Sequence, residues 1–133
     1  MAHRAKKLHT ISPLLVGVAG WIIPGGGFFL LKDNIRATII FTTIFLTFCL
    51  GIYIGSIAVI DPVGSKLWYA AQIMNSPIVF LLGHITTTKS YYVYGRPNEI
   101  GQIYTSIAGL LNLLCVINAV YQTHINNTQE SRV

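Results

Sequence analysis

Long apolar runs without charge dominate the sequence, and short polar segments separate them. The clearest run covers residues 37–60, which contain no Asp, Glu, Lys or Arg. At 1.5 Å of rise per residue, about 20 apolar residues in a helix cross the hydrocarbon core of a bilayer. This run also lacks the polar face that a helix on the surface of a soluble domain needs. The pattern therefore predicts a transmembrane helix and an integral membrane protein.

Four apolar segments and a polar tail follow from the same pattern. They are residues 12–31, 36–60, 67–83 and 100–121, with the tail at residues 122–133. The first segment is interrupted by Pro24, Gly25, Gly26 and Gly27. Because proline removes a helical hydrogen bond, we expect the first helix to break there. The sequence thus predicts an all-α fold, a single transmembrane bundle of three to four helices.

The distribution of Lys and Arg leaves two topologies open. If all four segments span, five cations lie on one side and four on the other; if the first segment re-enters, the count is seven against two. Cytoplasmic loops carry the excess of Lys and Arg, so the charge rule favours re-entry, while segment length favours a kinked span. Both topologies place Arg4, Lys6 and Lys7 in the cytoplasm. They differ in the side that holds the C-terminus.

Two of the segments carry small residues at helical spacing. In the second segment these are Thr43, Thr47, Gly51 and Gly55. In the fourth segment the spacing alternates between four and three: Gly101, Thr105, Ala108, Asn112, Cys115 and Ala119. Small residues let helix backbones approach closely in a membrane, and side-chain amides within the membrane form hydrogen bonds to neighbouring helices. We expect these faces to pack together, within the chain or against another one.

Composition narrows the possible chemistry. Only 10% of the residues are charged, against about 25% in soluble domains. We therefore expect the basic residues behind the net charge of +5 to set the membrane topology and to contact lipid head groups, not to bind nucleic acid. The four acidic residues fall in turns or in the tail, and His and Cys lack the spacing of metal ligands. No catalytic arrangement can be built from these residues. We therefore expect no enzyme activity, cofactor or metal.

Two blocks resemble known proteins. Trp21, Pro24, Gly25 and Gly27, followed by Arg36, resemble the Trp-x-x-Pro-Gly-x-Gly-His-x-x-x-Gly-Arg signature of small bacterial membrane proteins related to the two-transmembrane-helix domain group. Residues 99–114 resemble the last helix of one such uncharacterised family. The motif's histidine is Phe28 here, and the Asp of a terminal Asp-Ala is Asn118. The resemblance implies a bacterial inner-membrane protein with a Pro-Gly hairpin and no assigned activity.

These observations support two hypotheses about function. The first is a small non-enzymatic accessory or assembly subunit, which meets a membrane-protein partner or a second copy through its helix-packing faces. The alternative is a small transporter or channel subunit with a path lined by Asn112 and Asn118. In both, the bilayer is the immediate surrounding.

Overall fold

The computed structural model describes residues 11–89 and 96–132, and these residues are all-helical, with no strand among them. Arg4, Lys6, Lys7 and residue 133 of the predicted tail lie outside the described residues. Six α-helices follow in chain order: α1 (Pro13–Ile22), α2 (Gly26–Leu30), α3 (Asn34–Gly55), α4 (Lys66–Ile73), α5 (Ile78–Lys89) and α6 (Arg96–Glu130). A 3₁₀ turn at Ile57–Val59 follows α3.

Two helices, α3 and α6, are long and apolar enough to cross a membrane. They lie antiparallel, because Gly55 of α3 faces Pro97 of α6 while Ala37 and Ala119 share a buried cluster. The 18 residues between Ala37 and Gly55 span about 27 Å of helix. This contact is the most extensive in the fold, and α6 also packs against α1, α2 and α4.

The first predicted segment forms a hairpin. Helix α1 ends at Ile22, and Gly25 has a φ of 79°, a left-handed conformation that glycine adopts without steric cost. Helix α2 then folds back along α1, since a Cβ atom at Gly27 would lie 3.0 Å from the carbonyl oxygen of Val16. Residues 13–30 are called hairpin one. The expected break is therefore a chain reversal.

The third predicted segment also breaks. It forms α4 and α5 with Ser76 and Pro77 between them. Helix α5 returns towards the start of α4, because the Thr86 hydroxyl donates a 2.7 Å hydrogen bond to the Ile60 carbonyl. Residues 66–89 are called hairpin two. The described residues thus contain two helices of spanning length and two short hairpins, where three to four long helices were expected.

Other boundaries also differ from those predicted. Helix α3 ends at Gly55 rather than near residue 60, because Ser56 adopts a φ of 65° and a ψ of 175°. Helix α6 continues to Glu130, through most of the predicted polar tail. There Thr123 is buried, and the Asn127 amide donates to the Ile11 carbonyl at 3.0 Å. These contacts attach the end of α6 to the beginning of α1.

Hairpin one depends on the backbone at Gly25. A Cβ atom there would lie 2.7 Å from the carbonyl oxygen of Ala37, and a left-handed φ costs a non-glycine residue about 1–2 kcal/mol. We therefore expect Gly25→Ala to lower the free energy of unfolding, measured by SDS titration in mixed micelles, by at least about 1 kcal/mol. Pro24→Ala is the control, because its backbone has no positive φ, and it should cost less. Equal losses in both variants would contradict this account of the turn.

Candidate functional site

The α3–α6 contact contains some, but not all, of the residues predicted to pack. Gly51, Gly55 and Gly101 are buried at the point where the two backbones meet. A Cβ atom at Gly101 would lie 2.7 Å from the Gly51 carbonyl oxygen and 2.9 Å from the Gly55 Cα atom. Thr105 is fully buried there, and a Cβ atom at Gly51 would lie 2.6 Å from its Cγ2 atom. The contact thus has no space for a side chain at Gly101.

Two of the predicted packing residues lie elsewhere. Thr43 is exposed and Thr47 is half-buried. Their hydroxyl groups donate to carbonyls of the same helix, those of Ile39 and Thr43, each at 2.8 Å. The exposed Thr43 is therefore not buried against α6, and the hydroxyl of Thr47 makes its hydrogen bond within α3. The buried positions of α3 are Ala37, Ile44, Phe48, Gly51 and Gly55.

The remaining predicted residues of α6 face the interior. Ala108, Asn112 and Ala119 are buried. Cys115 is half-buried and packs against two clusters of buried apolar residues, one that contains Ala108 and one that contains Ala119. Asn118 is exposed and accepts a 3.4 Å hydrogen bond from the Gln122 amide. Asn118 lies six positions after Asn112, which places the two about 120° apart around the helix. The two asparagines therefore do not line one common path.

Hairpin two lies along α6 through a row of polar contacts. The Gln102 amide donates to the Ser65 hydroxyl at 3.1 Å, and the Ser106 hydroxyl donates to the Trp68 carbonyl at 3.3 Å. Residue numbers rise together in both helices, so α4 runs parallel to α6. A Cβ atom at Gly109 would collide with the Ala71 carbonyl, which keeps these helices close.

Asn112 holds the end of α4. Its Nδ2 atom donates to the carbonyls of Met74, at 3.0 Å, and Asn75, at 2.9 Å. These carbonyls belong to the two residues that directly follow α4, where no intrahelical donor is available. One turn earlier, the Gln72 amide donates to the Thr105 hydroxyl at 2.8 Å and the Val59 carbonyl at 3.2 Å. Asn112 and Gln72 thus fasten hairpin two to α6.

The tips of the two hairpins meet half-way along the bundle. Trp21 Nε1 donates to the Ile73 carbonyl, and the Ser76 hydroxyl donates to the Ile22 carbonyl, both at 3.1 Å. Helix α1 of hairpin one runs antiparallel to α6, because Gly17 lies opposite Val120 and Gly20 opposite Val116. Since α4 runs parallel to α6, the two hairpins enter from opposite ends. Each begins with a serine before its first helix and has a proline twelve residues later: Ser12 and Pro24, Ser65 and Pro77.

Three amide oxygens near this junction are buried without a hydrogen-bond donor. They belong to Gln72, Asn75 and Asn112. Sequence reasoning missed Gln72, Asn75, Gln102 and Ser106 as a set. Their signal was present as polar side chains three or four residues apart inside apolar segments, which marks one helix face. Among residues 11–89 and 96–132, no group of three His, Cys, Asp or Glu side chains could hold a metal ion.

Comparison with known families adds one finding. The sequence model of a family described as "Family of unknown function (DUF6677)" matches residues 15–131. The chain belongs to this family. The match covers α3, hairpin two, α6 and all but the first two residues of hairpin one, so the DUF6677 region includes nearly the whole helical bundle. No curated protein and no solved structure matches the chain.

Proposed function

We propose that this DUF6677 protein is a multi-pass protein of the bacterial inner membrane. Only 22% of the apolar window of α3 and 33% of that of α6 are buried inside the chain. A core helix of a soluble protein would be mostly buried, whereas these helices expose large apolar side chains. Those of α3 include Ile35, Ile39, Phe45, Leu46, Leu50 and Tyr53. A bilayer provides the environment that covers them.

The charges support a topology for this proposal. Lys32, Arg36 and Arg132 lie at the end of the bundle where α1 begins, and three more of the nine cations, Arg4, Lys6 and Lys7, precede α1 in the sequence. The opposite end carries Lys66, Lys89 and Arg96. By the positive-inside rule the first end faces the cytoplasm. With two spanning helices and two re-entrant hairpins, both termini are cytoplasmic.

Cysteine labelling tests this topology. In a chain whose Cys49 and Cys115 are replaced by Ser, we expect Val63→Cys to react with a membrane-impermeant maleimide in intact bacterial cells. Glu130→Cys should react only after the cells are opened, because α6 ends at the cytoplasmic side. Val63 is exposed at 67%, so its thiol is accessible. Labelling of Glu130→Cys in intact cells would reject two spans with both termini inside.

For the activity, we propose a non-enzymatic accessory or assembly subunit. The observation that carries this proposal is that the small and polar residues of the helices make their contacts within the chain. Gly51 and Gly101 pack against each other's helices, and the side-chain amide of Asn112 donates hydrogen bonds to two carbonyls of hairpin two. What remains for interaction is the apolar outer surface of the helices. A partner within the membrane fits that surface better than a soluble substrate does.

A site-specific photocrosslinker tests the accessory role. Placed at Phe45, on the exposed side of α3, it should give one discrete crosslinked protein in native membranes. The same group at Leu81, on the exposed side of α5, is the matched control and should give a different pattern. Crosslinks to lipid alone at both positions, together with a monomer on purification in mild detergent, would contradict the proposal.

A transporter or channel subunit is the second candidate. It is favoured by the two hairpins that enter from opposite ends and meet at broken, proline-containing segments. Secondary transporters place substrate sites near such breaks in corresponding halves of inverted repeats. The buried, unpaired oxygens of Asn75 and Asn112 lie at this junction. Asn118, by contrast, faces outwards, so the path we propose for this candidate passes the hairpin tips.

We also propose a relationship to the two-transmembrane-helix domain group. It is supported by Trp21, Pro24, Gly25 and Gly27, which form the turn of hairpin one. In this chain Phe28 replaces the histidine of that group's signature and is buried in the apolar cluster with Val16. The shared feature we propose is the hairpin itself.

A further inference from the structure

The junction of the two hairpin tips contains two buried asparagines, Asn75 and Asn112. Asn112 is fully buried and Asn75 is 5% exposed. The Oδ1 atom of each has no hydrogen-bond donor among the described residues. A buried acceptor without a partner destabilises a fold, so a ligand that pairs with these oxygens would bind favourably.

The amide of Asn112 cannot be turned over to satisfy its oxygen. Its Nδ2 atom donates to the carbonyls of Met74, at 3.0 Å, and Asn75, at 2.9 Å. The reversed amide would place Oδ1 against two carbonyl oxygens, which have no hydrogen to donate. The Oδ1 atom of Asn112 is therefore fixed as an acceptor beside the Asn75 backbone.

Neighbouring donor groups are already used. Trp21 Nε1 donates to the Ile73 carbonyl, and the Ser76 hydroxyl donates to the Ile22 carbonyl. The backbone amide of Val79, in the first turn of α5, donates to the Ser76 carbonyl. The described part of the junction thus has an excess of acceptors, which favours an occupant that carries positive charge.

The surroundings favour a monovalent cation. Helices α1 and α4 end at the junction, at Ile22 and Ile73, and the C-terminal end of a helix carries partial negative charge. Residues 67–88 and 100–121 contain no Asp, Glu, Lys or Arg. Calcium sites use carboxylates and Mg²⁺ gives up its water reluctantly, whereas neutral carbonyl oxygens replace the water shell of K⁺ in channels. Neutral amide and carbonyl oxygens therefore fit an alkali cation better than a divalent one.

We propose that the junction binds one alkali-metal cation, Na⁺ or K⁺. The side-chain oxygens of Asn75 and Asn112 are its ligands, together with the Met74 and Asn75 carbonyls, each of which has a second lone pair. Gln72 lies outside the site, because it bonds to Thr105, two turns before Asn112 on α6. The cation stabilises the contact of hairpin two with α6 whether the chain is an accessory subunit or a transporter.

Cation-dependent stability of the whole chain in detergent tests the site. Thermal unfolding is followed by circular dichroism in choline chloride and after stepwise replacement of choline by Na⁺ or K⁺ at constant ionic strength. Choline is too bulky for a buried site, so it is the reference. We expect Na⁺ or K⁺ to raise the midpoint temperature in a saturable manner, by about 3 °C at about five times the dissociation constant. Asn75→Leu should lose this rise, and Asn118→Leu, at an exposed position of α6, should retain it.

Asn75→Asp is the conservative variant. It keeps a side-chain oxygen and adds a negative charge, so the rise should reach half of its maximum at a lower cation concentration. A midpoint temperature of the native chain that does not depend on Na⁺ or K⁺ overturns the proposal, and so does a rise that Asn75→Leu retains. Should Asn75→Leu fail to fold, an unchanged half-saturation in Asn75→Asp overturns it instead. The membrane embedding is decided separately, by the cysteine labelling.

Discussion

Gly101→Val is expected to separate α3 from α6 and to produce a large loss of stability. The new Cβ atom would lie 2.7 Å from the Gly51 carbonyl oxygen and 2.9 Å from the Gly55 Cα atom. Both neighbours are backbone atoms, so relief requires the helices to move apart. Overpacking of this kind costs about 1–3 kcal/mol, and we expect the upper end of that range. SDS titration of the purified protein in mixed micelles measures it.

Alanine substitutions provide the matched comparison. Replacing glycine by alanine inside a helix gains up to about 1 kcal/mol from helix propensity. At Gly17 the new Cβ atom meets only the Cγ2 atom of Val120, at 3.2 Å, and that side chain can yield. Gly17→Ala should therefore be neutral or stabilising, whereas Gly101→Ala should be destabilising in spite of the same gain. If both variants shift stability in the same direction, close backbone contact at Gly101 is not what holds α3 to α6.

The small residues of α3 show why the sequence predicts one part of this contact and misplaces another. Successive positions of an α-helix differ by about 100°, so a strict step of four residues drifts by about 40° each time. From Gly55 back to Thr43 the drift reaches about 120°, which turns Thr43 away from α6. The residues of α6 alternate steps of four and three, so the drift cancels and positions from Gly101 to Ala119 stay on one face. Spacing thus predicts a packing face when its steps average 3.5–3.6 residues.

The hairpins show a limit of a different kind. Pro24 and the glycines after it predict a break, but the direction of the chain after the break depends on contacts distant in sequence. In hairpin one, Gly27 packs against Val16; at its tip, Trp21 bonds to Ile73 of hairpin two. Neither contact can be predicted from the residue types near the break in the sequence. The same holds for Asn127, whose polar character predicts a tail while its bond to Ile11 keeps α6 helical there.

Asn112→Leu separates the two functional candidates. Its amide serves the carbonyls of Met74 and Asn75 at the end of α4, and leucine leaves both without a donor. Hydrogen bonds between helices in a membrane contribute about 0.6 kcal/mol on average and up to about 1.7, and a stranded buried carbonyl costs about 1–3 kcal/mol. We therefore expect a loss of about 2 kcal/mol in the free energy of unfolding, measured by SDS titration. Asn118→Leu, at an exposed position of the same helix, should change stability by less than about 0.5 kcal/mol.

Flux measurements on the same two variants complete the comparison. If Asn112 serves only to hold hairpin two against α6, Asn112→Leu weakens the fold, and proteoliposomes of the native chain and of both variants show the same background leak of small solutes. A native chain that conducts a solute, together with an Asn112→Leu variant of unchanged stability and no conduction, would reject the packing role and favour the transporter. The distinction is sharp because Asn112 is fully buried and faces the hairpin tips, where the transporter candidate must place its path.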